Sequence, residues 1–470
     1  MLWVSTEITG DEMKSISSEP LSKPTMNDVS RVLSWIDDHR EEIIDLLQRL
    51  VRVPSVNPWF LEEPGQRYEE QVQDLIAEEL RIFGATIDRW QPDPQTLSKY
   101  QGKPGYYPDH KFEGRPNQAG VIKGVGNGKS LLLTGHVDVV KAGSDWSVHP
   151  FSAVRKDGKI IGRGVVDMKG GIAAMISAVK AIHSVGFKNA GDICIGTVVD
   201  EEAGGMGTLA FVDRGYRADG CILTEPTDLT IAPLCRGILW GKLRIKGRSG
   251  HIELPQADWR NGGAVDAIRL CRFFLEQLDN LNTDWAVRKT HPLLPMPCQV
   301  YVAQLNAGEY PTTFAGEAEM VFNAQYLPAE RDNNFLGGKV KREIEDFIIS
   351  VSQKNEWLIQ NPPKVEWLID ADCAETPENH PFVETCKASL LQVTDNAVIQ
   401  GIGSHTDMGW FVNVGIPTIN FGPGKPSVAH QSDESLKEED LITATKVLAV
   451  IVMNWCGISK SSQSEIGAIL

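Results

Sequence analysis

Apolar residues recur at three- and four-residue intervals through 28–52 (Val32, Leu33, Ile36, Ile43, Ile44, Leu47, Leu50) and again through 68–83. This spacing predicts two helices, joined around the turn-rich segment Pro54-Ser55-Val56-Asn57-Pro58. The stretch 90–118 is dense in Pro, Gly, Tyr and charge and reads as a long connecting loop. Beyond it, short apolar runs at 120–123, 130–134, 159–162 and 192–199 alternate with helical patterns, a strongly apolar one at 170–185 and another at 206–214. Short buried strands alternating with helices predict an α/β domain of three layers around a mostly parallel sheet.

After residue 231 the order changes to strand 238–246, helix 262–278, strands 299–305 and 317–326, helix 335–353 and strand 365–369. That βαββαβ series is the ferredoxin-like arrangement. Helix 381–394, strand 418–421 and helix 436–456 then return to the first domain. The chain of 470 residues exceeds the roughly 250–300 at which single cores stop growing. We therefore expect a flexible tail over 1–27, a catalytic domain from 28–236 plus 359–460, and a smaller unit inserted at 237–358.

Lys and Arg (46) against Asp and Glu (62) leave a formal charge of −16. An acidic chain repels phosphate backbones and anionic lipid, which argues against nucleic acid and membrane as partners. The longest apolar run, 447–456, is interrupted by Asn454 and falls well short of the roughly twenty residues a membrane helix needs. Eight cysteines form no Cys-x-x-Cys pair, so neither a disulfide scaffold nor a thiolate zinc site is expected, and a reducing, cytoplasmic setting fits.

The candidate chemistry sits at predicted strand ends. Leu131-Leu132-Leu133-Thr134-Gly135-His136-Val137-Asp138 closes an apolar strand with His136 and Asp138 two apart, hence on one side. Alone, such a pair is more often decorative. Asp167 lies in the glycine-rich turn Gly162-Arg163-Gly164-Val165-Val166-Asp167-Met168-Lys169-Gly170-Gly171, where a helix cap is the bland alternative. Asp200-Glu201-Glu202 closes a buried strand, Thr224-Glu225-Pro226 another, and His430 follows the glycine turn after Phe421. In open α/β sheets ligands bind at the carboxyl ends of strands, and a cation would relieve the repulsion among these carboxylates. Five nitrogen and oxygen donors (His136, Asp167, Glu202, Glu225, His430) are too many for one tetrahedral catalytic zinc with an open position, and suit two divalent ions sharing one carboxylate.

The ordered motifs Gly-His-x-Asp, Gly-Arg-Gly-x-x-Asp-Met-Lys-Gly-Gly, Asp-Glu-Glu-x-Gly, Thr-Glu-Pro-Thr and Ala-His-x-x-Asp-Glu span most of 28–458. They resemble the dizinc hydrolase family of acetylornithine deacetylase, succinyl-diaminopimelate desuccinylase, aminoacylase and glutamate carboxypeptidase. The resemblance implies two metal ions per chain, Zn²⁺ with Co²⁺ or Mn²⁺ as alternatives, and a lid unit that also forms a homodimer. It implies that Asp167 bridges the metals, with His136 and Glu225 on one side and Glu202 and His430 on the other. Asp138 would hydrogen-bond the free nitrogen of His136. Glu201 would be the general base, and His251, in Gly247-Arg248-Ser249-Gly250-His251, would serve the oxyanion of the neighbouring subunit's site.

Two departures bear on the substrate. Many relatives end a lid strand in Arg-x-x-Pro, which pairs with a substrate carboxylate; here the segment reads Gln325-Tyr326-Leu327-Pro328. Where relatives place a lid asparagine, this chain has Thr312 and Thr313. His405 stands in Gly403-Ser404-His405-Thr406-Asp407 as a pocket candidate, Arg236 as an anion-binding candidate, and 280–297 with Trp285 as a segment able to shape the pocket. The expected function is a metal-dependent amide hydrolase that removes an acyl, formyl or carbamoyl group from a small amine or amino acid, with Glu201 as base. The alternatives are a dizinc carboxypeptidase or dipeptidase, and a binding protein on the same scaffold.

Overall fold

The computed structural model describes residues 24–60 and 68–460, so most of the expected tail lies outside it. The first helix begins at Met26, inside the span expected to be flexible. Thr25 caps it: its hydroxyl accepts the Asp28 N–H at 3.2 Å while the Asp28 carboxylate accepts the Thr25 N–H at 3.1 Å. The single helix expected over 28–52 is two, Met26–Asp38 and Arg40–Arg52, because the His39 backbone leaves helical geometry between them.

A six-stranded sheet forms the larger unit, in the order Thr86–Trp90, Asn117–Ile122, Ile193–Val198, Leu131–His136, Cys221–Leu223, Thr418–Asn420. The last four run parallel to one another, and Asn117–Ile122 runs antiparallel to both of its neighbours. The edge strand Thr86–Trp90 lacks an expectation in the sequence, since it is short, partly exposed and carries Asp88 and Arg89 among its apolar positions. Register shows that helices cover both faces. Thr134 pairs with Gly196, whose missing side chain is filled by Phe211 of helix Met206–Asp213. The next residue, Gly135, points the opposite way and meets Met168 and Ile172 of the Lys169–Ser184 region. The three-layer α/β reading holds.

The same register sets the site. His136 lies level with Val198, and Thr134 level with Leu223, so the parallel strands release His136, the Asp200-Glu201-Glu202 turn and Glu225 at one end of the sheet.

Strands Val300–Ala307, Glu317–Tyr326, Gly237–Lys246 and Lys364–Ala371 form a separate antiparallel sheet in that order, with helices Ala267–Arg288 and Gly338–Ser352, in the expected βαββαβ series. This sheet reaches past residue 358. It has its own core, including Phe274, Trp285, Met320 and Ile344. The helix expected at 262–278 is displaced to Ala267–Arg288, which takes in much of 280–297. Trp285 is fully buried and donates to Glu343 at 2.8 Å, so this segment packs the second core and does not shape the pocket. The chain leaves and re-enters the larger unit side by side, through the paired strands Leu234–Cys235 and Ala374–Glu375.

Candidate metal centre

Asp167 lies between two histidines. Its Oδ1 is 3.0 Å from His136 Nε2 and its Oδ2 is 3.2 Å from His430 Nε2. His430 Nε2 is also 3.2 Å from Glu202 Oε2, while Glu225 Oε1 and Glu201 Oε2 lie 3.9 and 3.8 Å from His136 Nε2. The structure thus brings His136, Asp167, Glu201, Glu202, Glu225 and His430 into one space, across nearly the whole sheet. Ligand atoms of His136, Asp167 and Glu202 lie within 4.8 Å of one another, close enough for metal binding at this cluster.

Charge decides what fits there. Burial, reinforced by neighbouring carboxylates, pushes the Glu201 and Glu225 carboxyls well above the usual range. Burial works against charge on His430, yet hydrogen bonds to Asp167 and Glu202 lift it to about 11. The protein's own groups can balance these carboxylates only by taking up protons. Glu202 Oε1 and Glu225 Oε1 are buried with no hydrogen-bond partner in the protein. Bare carboxylate oxygens beside imidazole nitrogens, with no thiolate, suit divalent cations of the zinc type.

The turn that presents Asp167 is held by Glu434, whose Oε1 accepts the N–H groups of Gly164, Val166 and Asp167 at 3.1, 2.8 and 3.3 Å. Arg163 donates to its other oxygen at 2.5 Å. Both residues are buried and both belong to motifs quoted from the sequence, but nothing local announces the pairing across 271 positions.

Asp138 does not act on His136 as expected. The His136 Nδ1 lies 2.8 Å from the Asp138 backbone carbonyl, and the Asp138 carboxylate is farther, at 3.7 Å. That carboxylate instead accepts Asn57 Nδ2 at 2.8 Å and the N–H groups of Glu201 and Glu202, both at 3.3 Å. It therefore pins the turn that carries Glu201 and Glu202. Asp200, before that turn, accepts from Arg115 at 3.1 Å and faces His110 Nδ1 at 2.7 Å, and Arg115 grips Glu69 with two hydrogen bonds of 2.7 and 2.9 Å. Asn57, Glu69, His110 and Arg115 carry no motif in the sequence that marks them for this network.

A cavity of about 460 Å³ opens over the cluster. Asp167, Glu201, Glu202, Glu225 and His430 form its floor, and Ile238, Trp240, Asn323, Gln325, Ile369 and Ala371 of the second sheet face them. His405 lines one wall. Its Nδ1 lies 2.8 Å from the Asp372 carbonyl, and burial pushes its pKa down to about 4, so the ring is neutral near pH 7. Glu201, His405 and Asp407 form a second trio with ligand atoms within 4.8 Å. Arg236 is not in the lining but holds Gln325 from behind at 2.8 Å. His251, Thr312 and Thr313 lie together on a turn of the second unit, where His251 bridges Thr313, and none of them lines the cavity. His251 is exposed.

Residues 132–454 match the model of Peptidase family M20/M25/M40. The chain is 29% identical to the N-formyl-4-amino-5-aminomethyl-2-methylpyrimidine deformylase of Bacillus subtilis, over 90% of this chain and 97% of that protein. It is 26% identical to acetylornithine deacetylase of Vibrio cholerae, over 73% of this chain and 85% of that protein. The fold superposes on the di-peptidase Dug1p of Saccharomyces cerevisiae with a TM-score of 0.72 at 15% identity, covering 92% of this chain and 99% of that one. No helix among the described residues is long and apolar enough to cross a membrane. With its histidine and carboxylate cluster under a cavity and a family match over most of its length, the chain belongs to Peptidase family M20/M25/M40 and is a metal-dependent hydrolase of amide bonds.

Proposed function

We propose that the protein is a deformylase: it hydrolyses the formamide of a small N-formyl amine, using two divalent ions, Zn²⁺ by the donor set. The observation that carries this reading is Asp167, which offers one oxygen towards His136 and the other towards His430. In this reading Asp167 is shared between the ions, His136 and Glu225 hold one, and Glu202 and His430 the other. Bound there, the ions would polarise the amide carbonyl and acidify a water molecule.

Glu201, on the cavity floor and outside that ligand set, takes the proton of the attacking water and delivers it to the departing nitrogen. Asp138 holds the Glu201 backbone in place for both transfers. The choice of a formyl group rests on the deformylase relative, which aligns over 90% of this chain. His251 of a second copy would donate to the developing oxyanion, which makes the protein a homodimer through its inserted unit. The eight free thiols, seven of them buried, suit the reducing cytoplasm.

The test is a panel assay of the metal-loaded protein on N-formyl, N-acetyl and N-carbamoyl derivatives of one amine together with dipeptides. The formyl compound should give the highest kcat/KM. Turnover of dipeptides alone would overturn the proposal.

A further inference from the structure

The cavity face opposite the catalytic cluster comes from three neighbouring strands in strict register. Gln325 pairs with Ile238 and Ile238 with Ala371; two residues along, Asn323 pairs with Trp240 and Trp240 with Ile369. Residues two apart on a strand share a face, so these six side chains form one patch of two rows by three columns. All six line the cavity. The patch holds one indole, three aliphatic side chains and two carboxamides, and it carries no charge. Among the described residues that line the cavity there is no Lys or Arg.

The orientation of one carboxamide is fixed by chemistry. Arg236 Nη1 lies 2.8 Å from Gln325 Oε1, and a guanidinium can only donate, so the Gln325 oxygen faces Arg236 and its NH₂ is left as the hydrogen-bonding group for a ligand. Arg236 is itself buried and committed, donating to the carbonyls of Met296 and, at 3.4 Å, Gly403. The guanidinium that could have received a substrate carboxylate is spent on turning a neutral donor into the cavity.

We infer that Gln325 is a specificity-determining residue that donates to a neutral acceptor, such as a ring nitrogen, on a flat heterocyclic amine lying against Trp240, with Arg236 as the residue that positions it. The inference rests on the deformylase reading and names the amine side of its substrate. An anionic amine side is disfavoured, because the patch that would receive it carries no charged side chain and Arg236 behind it is committed to Gln325 and backbone carbonyls. A flat ring keeps its apolar faces against Trp240 and Ile369 and spends its edge on the amides.

Three formamides distinguish the possibilities: N-formyl-aminomethylpyrimidine, N-formyl-benzylamine, which lacks the ring acceptor, and N-formylglycine, which carries a carboxylate. For the metal-loaded wild type we expect kcat/KM on the pyrimidine to exceed that on the phenyl compound about tenfold or more, with the glycine derivative poorest. Gln325→Met, close in volume, should bring the pyrimidine-to-phenyl ratio near one. Arg236→Lys should lower the same ratio through KM, with kcat for the pyrimidine largely kept. A wild-type ratio near one, a ratio unchanged in Gln325→Met, or a preference for N-formylglycine would overturn the inference. Equal losses on both neutral formamides in Arg236→Lys would remove its positioning role. A wild type that hydrolyses none of the three overturns the deformylase reading as well, whereas equal hydrolysis of the two neutral compounds overturns only the assignment of Gln325.

Discussion

Asn57 donates to Asp138 at 2.8 Å across 81 positions, and the same Asp138 carboxylate receives the backbone N–H groups of Glu201 and Glu202. A loop after the second helix therefore reaches the turn that carries the proposed base. Asn57→Ala should lower kcat by about 10–100-fold, the range seen when groups supporting a metal site are removed. Asn57→Asp should be worse, because it sets a second carboxylate against Asp138. Steady-state kinetics with metal analysis checks this, and an unchanged kcat would separate Asn57 from the Glu201 turn.

Glu201 and His430 should fail in different ways. Glu201→Gln removes the proton carrier and should reduce kcat by about 10²–10⁴-fold with metal content unchanged. His430→Ala should lower metal occupancy, measured by elemental analysis of the dialysed protein. Prolonged treatment of the wild type with a chelator should abolish turnover and added Zn²⁺ should restore it.

Glu69 and Arg115 are each almost wholly buried and joined by two hydrogen bonds. Glu69→Ala leaves the guanidinium uncompensated on that side and should destabilise the fold by about 3–5 kcal/mol, read as a lower denaturation midpoint. A midpoint equal to wild type would show that Asp200 alone neutralises Arg115.

His405 gives the larger unit a sensitivity to acid. Its folded pKa is pushed down to about 4, whereas an unfolded histidine protonates near 6.5. Between those values the unfolded chain holds the extra proton, so the contribution is complete above about pH 6.5 and is lost as pH falls towards 4, up to about 3 kcal/mol. Urea midpoints at about pH 7.5 and about pH 5 should differ less in His405→Gln than in wild type.

The sequence exposes the parts of this molecule that obey a local rule. Apolar runs closing on His136, Glu202 and Glu225 are legible because a parallel sheet collects the ends of its strands at one edge, and pattern alone locates those ends. The βαββαβ series is legible for the same reason. The buried network of Asn57, Glu69, His110, Arg115 and Asp200 has no such signature: its members meet across 46 to 143 positions, and three of them stand in or beside stretches that read as loops. Asp138 misled for a subtler reason. Spacing places its side chain on the correct side of the strand, but cannot distinguish a carboxylate turned to His136 from a carbonyl turned there.

The strands Leu234–Cys235 and Ala374–Glu375 hydrogen-bond to each other where the chain departs from and returns to the larger unit. The intervening module can therefore be removed or exchanged by one short splice, without rethreading the sheet that carries the histidines and carboxylates. A lineage could in this way swap the ceiling that recognises a molecule while inheriting unaltered the machinery that cuts it.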